Sequence, residues 1–198
     1  MAYQRGPIGS YRAWADAVGD ESFTFDNLLP YFQKSINFTP PDYAKRGGPI
    51  VAYDPSAYSS SGGPLHVAYW NYYMPVSEYF KKGLEKLSFR ENGGIESGSL
   101  VGFAQYPATL NPDAQIRDPS ETSFGQQAID CTGLQFYLRT LAKHILFNGK
   151  TATGVNVVTA GASYMLSARK EVILAAGPVS RDGTMHALIR SVTMLTKL

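Results

Sequence analysis

The chain of 198 residues has a single cysteine, three histidines and almost no excess charge. One thiol, Cys131, excludes an intrachain disulfide and any zinc or iron–sulfur site built from cysteines. His66, His144 and His186 stand in unrelated contexts, and no two lie close enough on one helix or hairpin to begin a zinc site. Each reads as a strand or surface residue with its polar needs met. The hydrolase elbow G-x-S-x-G is missing, so a Ser-His-Asp triad has no support. Also missing are G-x-G-x-x-G and G-x-x-x-x-G-K-[ST], the loops whose amides approach phosphate at a helix start. GGIESG at 93–98 lacks the glycine at its third position and reads as a turn. Lys and Arg number 18 against 16 Asp and Glu, a mixed field too weak to select nucleic acid or an anionic membrane. No run approaches the roughly 18 apolar residues of a membrane helix. The opening MAYQRGPIGSYRAW also lacks the apolar core of a secretory signal. The expectation is a cytoplasmic chain by default, in which the acceptor triplet Asn37-Phe38-Thr39 is silent.

What the chain does have is apolar and aromatic material, with 44% hydrophobic residues including 13 Tyr, 10 Phe and 2 Trp. That composition excludes disorder and suits one large or two small domains. An apolar or aromatic ligand fits such a surface, and so does an ordinary core.

Residues 11–34 read as two short helices around a turn. Tyr11, Trp14, Ala15 and Val18 keep helical spacing and Gly19 fits a stop. Thr24 or Asp26 can cap a second helix, which Pro30 is expected to delay or kink. Residues 37–63 read as a loop, broken by Pro40-Pro41, Gly47-Gly48-Pro49 and a Ser/Gly run, and a loop this long suggests a lid or interface arm. A strand is expected at 64–68. Val76, Tyr79, Phe80, Leu84 and Leu87 then share one face of the clearest helix, at 74–87. Residues 100–109 read as a strand and 120–131 as a helix with Ser120 at its N-cap. Runs at 134–138, 142–147, 153–158 and 163–166, separated by turns such as Asn148-Gly149, predict an antiparallel meander. EVILAA at 171–176 looks like a buried strand of a parallel sheet, and 181–198 like a weak helix. The carboxylates Asp113 and Asp118, and Glu91 and Glu96, lie in loop sequence and read as solvated.

Three blocks carry a resemblance. The first is Tyr3-Gln4-Arg5-Gly6 followed by Tyr11, Trp14, Ala15 and LLPYFQKS at 28–35; the second is SSGGPLHVAY at 60–69. The third runs from SETSF at 120–124 through LQFYLRTLAKHILF at 134–147 and TATGVNVV at 151–158 to ARKEVILAAGPVS at 168–180. In this order they resemble the glucose–methanol–choline (GMC) family of flavin-dependent alcohol oxidases and dehydrogenases, particularly its fungal aryl-alcohol-oxidase-like branch. The resemblance implies an α+β fold: the antiparallel sheet of a substrate-binding domain with helices on one side, plus strands of an incomplete FAD-binding α/β domain. Residues 1–180 correspond to the substrate-binding half with remnants of the flavin domain, and 181–198 form a divergent tail.

By the same resemblance FAD is the cofactor, and a small-molecule alcohol or aromatic compound is the substrate. Ala142 stands where a family Val meets the flavin adenine through its backbone. Ala176 and Gly177 end the strand that returns to the cofactor, and Tyr3 follows a flavin-contacting motif. The family's upstream glycine fingerprint and its distal catalytic His have no counterpart in these residues, and His186 does not take that role. No catalytic residue and no metal ligand is therefore assigned. Two functions remain open: part of an FAD-dependent alcohol oxidoreductase that cannot catalyse alone, or a cofactor-free binding protein or cyclase derived from the substrate domain, with a role in secondary metabolism. A blander outcome is a non-functional product whose apolar strand promotes association.

Overall fold

The computed structural model describes residues 2–59 and 62–174. They fall into two compact units, one ending at Gln127 and the other starting at Ala128.

In the first unit, α1 (Ile8–Val18) begins after Pro7, whose ring presets the backbone, and ends on Gly19 in the left-handed conformation that halts a helix. Helix α2 (Phe25–Ser35) starts directly after Thr24 and runs through Pro30. The delayed start expected from Pro30 does not occur. Arg12 bridges Asp16 and Glu21, linking α1 to the short turn before α2.

Strand β1 (Ile36–Thr39) follows immediately, inside the stretch expected to be loop, and pairs in parallel with β2 (Leu65–Ala68). Ile36 and Phe38 alternate with polar neighbours as a strand requires, a signal obscured by the prolines and glycines that follow. The connection between these strands contains α3 (Tyr43–Arg46) and a short turn at Pro55–Ala57. A parallel pair needs such a long crossover, which accounts for the length of the segment. Gly63 permits the close approach: a Cβ there would lie 2.3 Å from the Lys34 carbonyl oxygen.

β2 also pairs antiparallel with β3 (Ala108–Thr109), giving the order β1-β2-β3. The first sheet is therefore mixed rather than antiparallel. The strand expected over 100–109 contracts to this pair and an isolated bridge between Glu91 and Phe103. Gly102 turns the chain at φ 117°, where a Cβ would meet the Arg90 carbonyl oxygen at 2.4 Å. Helix α4 (Val76–Lys86) forms as its period predicts, but Val76, Tyr79, Phe80 and Leu87 are exposed. The helix expected at 120–131 opens instead as a wide turn over Glu121–Gly125, closed by Gly125 N–H on the Ser120 carbonyl, before α5 (Gln126–Thr132). Ser120 makes no side-chain cap.

The second unit is the expected meander: β4 (Thr140–Asn148), β5 (Thr151–Thr159) and β6 (Ala162–Ser167), antiparallel in that order. Its turns use Gly149 and the pair Ala160-Gly161, all at positive φ. Ala142, Val155 and Val157 form its core, packed by Ile145, Tyr164, Leu166 and Val172. Residues 134–138 are not a strand; Gly133 and Arg139 bracket them at positive φ. Nor is 171–174, although Val172 covers the sheet. The remainder of that expected strand and the expected helix over 181–198 lie outside the described residues.

Candidate functional site

The amino-terminal residues join the first sheet. Tyr3 N–H donates to the Pro107 carbonyl at 2.8 Å, and Ala2 bridges Ala108 of β3. Two residues later Arg5 is 4% exposed, and its Nη1 donates to the carbonyls of Ala57 at 2.7 Å and Glu96 at 2.9 Å. Its Nε donates to the Tyr3 hydroxyl at 3.3 Å, and the guanidinium lies over the rings of Tyr3, Phe32 and Tyr58. Arg5 thus ties the amino-terminal segment to two loops that are distant in sequence. A rigid fork suits that task better than a point charge does.

One of those loops is the GGIESG turn. Asn92 caps it by accepting from Gly94 N–H, and Gly98 accepts from Ile8 N–H at the start of α1. This folds Glu96 inward until it is 1% exposed. Neither carboxyl oxygen has a well-formed hydrogen bond, and neither do the buried hydroxyls of Tyr58, which lies in reach of Glu96, and Tyr69. Burial pushes the Glu96 carboxyl up to about 7, against weaker opposing effects of the Tyr58 hydroxyl and the Arg5 charge. Burial first, and the Glu96 charge second, hold both phenols above their ordinary value.

Phe38 stacks on Tyr58 at 3.7 Å, with Tyr53 and Tyr69 completing an aromatic group. Behind Tyr69, Arg46 donates to the Trp70 carbonyl at 2.8 Å and to the Gln105 side chain, and lies over Tyr69 and Tyr73.

A second cluster fastens β2. Asp118 accepts from His66 N–H at 2.8 Å, from His66 Nδ1 at 2.9 Å and from the Thr122 hydroxyl at 2.5 Å. Burial pushes its carboxyl up, but the Thr122 and His66 hydrogen bonds together outweigh burial and leave it below the usual carboxylate range. His66, expected as a strand or surface residue with its polar needs met, is that, through a partner distant in sequence; its ring remains 37% exposed. The expectation of solvated carboxylates fails for Glu96 and Asp118, which are buried, and for Glu91, which pairs with Lys81 at 2.6 Å. Asp113 is exposed as expected. Glu96 lies between Ile95 and Ser97, and Asp118 between Arg117 and Pro119, so no periodic apolar pattern marks either for burial.

In the second unit Ala142 is buried on β4, opposite Val157. The next pair is His144 with Asn156, so Lys143 is an extra residue that interrupts the ladder. Among the described residues β4 pairs with β5 alone. Tyr3 belongs to the first unit, and Ala176 and Gly177 lie outside the described residues. Among the described residues no three His, Cys, Asp or Glu side chains gather as metal ligands, and no helix is long and apolar enough to cross a membrane.

The model of the GMC oxidoreductase family matches residues 1–191. Dehydrogenase pkfF of Emericella nidulans is 45% identical over 178 residues, which is 89% of this chain and 29% of that relative. An FAD-dependent oxidoreductase from Chaetomium thermophilum matches in structure with a TM-score of 0.78 and 26% identity, over 86% of this chain and 29% of the other. A fungal aryl-alcohol oxidase shares the fold at a TM-score of 0.70 and 18% identity, over 84% and 29%. The chain thus spans under a third of the length of these proteins.

Proposed function

Because the chain belongs to the GMC oxidoreductase family, we propose that it serves as the middle portion of an FAD-dependent oxidoreductase acting on the CH–OH group of a small apolar or aromatic alcohol. The observation that carries this reading is the family match across 1–191, continuous over both units. When bound, FAD supplies the hydride acceptor for oxidation of the alcohol carbon.

The residues of this chain bind and position. Ala142 offers main-chain groups at the Lys143 bulge to the adenine end, where a backbone contact tolerates the change from the family's Val. By family resemblance, the small residues Ala176 and Gly177 would admit the cofactor. Arg5 holds Tyr3, a cofactor-contact candidate by family resemblance, against the first sheet. The proton-handling histidine and the phosphate-binding turn are supplied by other parts of a family enzyme.

Substituting this chain for the matched 29% of pkfF tests the proposal. A soluble chimera is expected to show the visible flavin spectrum. Ala142→Val leaves flavin affinity unchanged, whereas deletion of Lys143 weakens it about tenfold, the worth of one main-chain hydrogen bond. A folded chimera without flavin overturns the assignment.

A further inference from the structure

Several buried side-chain atoms lacking a partner gather at one place: Arg5 Nη2, the Tyr58 and Tyr69 hydroxyls and both carboxyl oxygens of Glu96. An ionised carboxylate at 1% exposure, with only the Tyr58 hydroxyl in reach and no ion pair, is strongly unfavourable, and the usual resolution is to keep the proton. The groups around it supply no compensating pair. Arg5, from the amino-terminal segment, spends Nη1 on the carbonyls of Ala57 and of Glu96 itself. Tyr58, after the Pro55–Ala57 turn, and Tyr69, after β2, are neutral phenols, and Arg46 of α3 lies beyond Tyr69 with its donors on Trp70 and Gln105.

We propose that Glu96 is a proton-bearing positioning residue: as a neutral acid among Arg5, Tyr58 and Tyr69 it seats residues 3–6 on the first unit, and losing the proton unseats them. Ionised, the carboxylate competes for the guanidinium. The unused Nη2 is the donor through which Arg5 would be drawn off the Ala57 and Glu96 carbonyls, since a charged acceptor binds it more strongly than a carbonyl does. Residues 3–6 then lose their anchor on the Ala57 loop. That these residues adjoin the cofactor rests on the oxidoreductase reading; the proton-dependent seating does not, and its test uses no flavin.

The test is thermal and chemical unfolding of the full chain from about pH 5 to about pH 8, with Glu96→Gln beside it. The folded state keeps a proton that the unfolded chain releases above the ordinary carboxylate range. Native stability therefore falls as pH rises through that range, and the fall levels off above about 7. The folding constant drops by up to about tenfold per pH unit in that window. Glu96→Gln keeps the shape without the ionisation, so it removes this component of the slope and exceeds the native chain by about a hundredfold in folding constant near pH 8. Tyr3 amide exchange, corrected for its intrinsic rate, gains an added pH-dependent loss of protection in the native chain and not in the variant.

Should Glu96→Gln fail to fold, infrared spectroscopy of the native chain decides, because a protonated-carboxyl stretch must persist above about pH 6. Its absence, or a stability slope and Tyr3 exchange that Glu96→Gln leaves unchanged, overturns the proposal.

Discussion

Arg5→Met is expected to cost the first unit about 3–5 kcal/mol of unfolding free energy, the largest single-residue effect in this chain. The substitution keeps much of the stem's packing but removes the donor to the Ala57 and Glu96 carbonyls and the cation over three aromatic rings. Charge-assisted hydrogen bonds are worth about 1.5–3 kcal/mol each, and buried carbonyls left without donors add their own penalty. Arg5→Lys recovers less than half of the loss, because an ammonium cannot reproduce a planar fork stacked among rings. Urea unfolding measures both variants. A loss below about 1 kcal/mol for Arg5→Met would show that Arg5 does not hold the amino-terminal segment.

Asp118→Ala is expected to cost about 2–4 kcal/mol by leaving His66 N–H, the His66 ring and the Thr122 hydroxyl without their acceptor. The pH dependence identifies the mechanism. The carboxyl is held below its ordinary value, so its contribution is complete above the ordinary carboxylate range and is lost as pH falls through the lower folded value. Acid unfolding of the native chain therefore contains an Asp118 component that Asp118→Ala lacks. The two buried carboxyls of the first unit act with opposite sign, Asp118 on the acid side and Glu96 toward neutral pH. Unfolding of Asp118→Ala across the acid range, compared with the native chain, checks this; an unchanged acid limb would contradict it.

Periodicity and turn chemistry made much of this architecture legible. Gly19 stops α1, the 3.6-residue repeat marks α4, and Asn148-Gly149 and Gly161 separate the strands of the meander. What escaped was non-local. The strand Ile36–Thr39 is stabilised by a partner across a long connection, and neither its four residues nor their flanks announce a parallel neighbour. The apolar stripe of α4 is correct as a stripe but lies exposed, because periodicity specifies a face and not what covers it.

The candidate site divides the same way. Ala142 is reached by resemblance alone, whereas the burial of Glu96 and Asp118 depends on which loops Arg5 and His66 draw together. A carboxylate in loop sequence carries no local mark of the dielectric it will occupy.

The proposal is that these residues form a middle portion of a flavin-dependent alcohol oxidoreductase, and they hold no G-x-G-x-x-G turn to anchor the cofactor's phosphates. Titration of the purified chain with FAD, followed by visible absorbance and by alcohol-dependent reduction of an electron acceptor, tests it most directly. The account predicts no stoichiometric flavin and no turnover from this chain, with flavin recovered in the chimera. A yellow, one-to-one complex of the 198-residue chain that oxidises an alcohol unaided would contradict it.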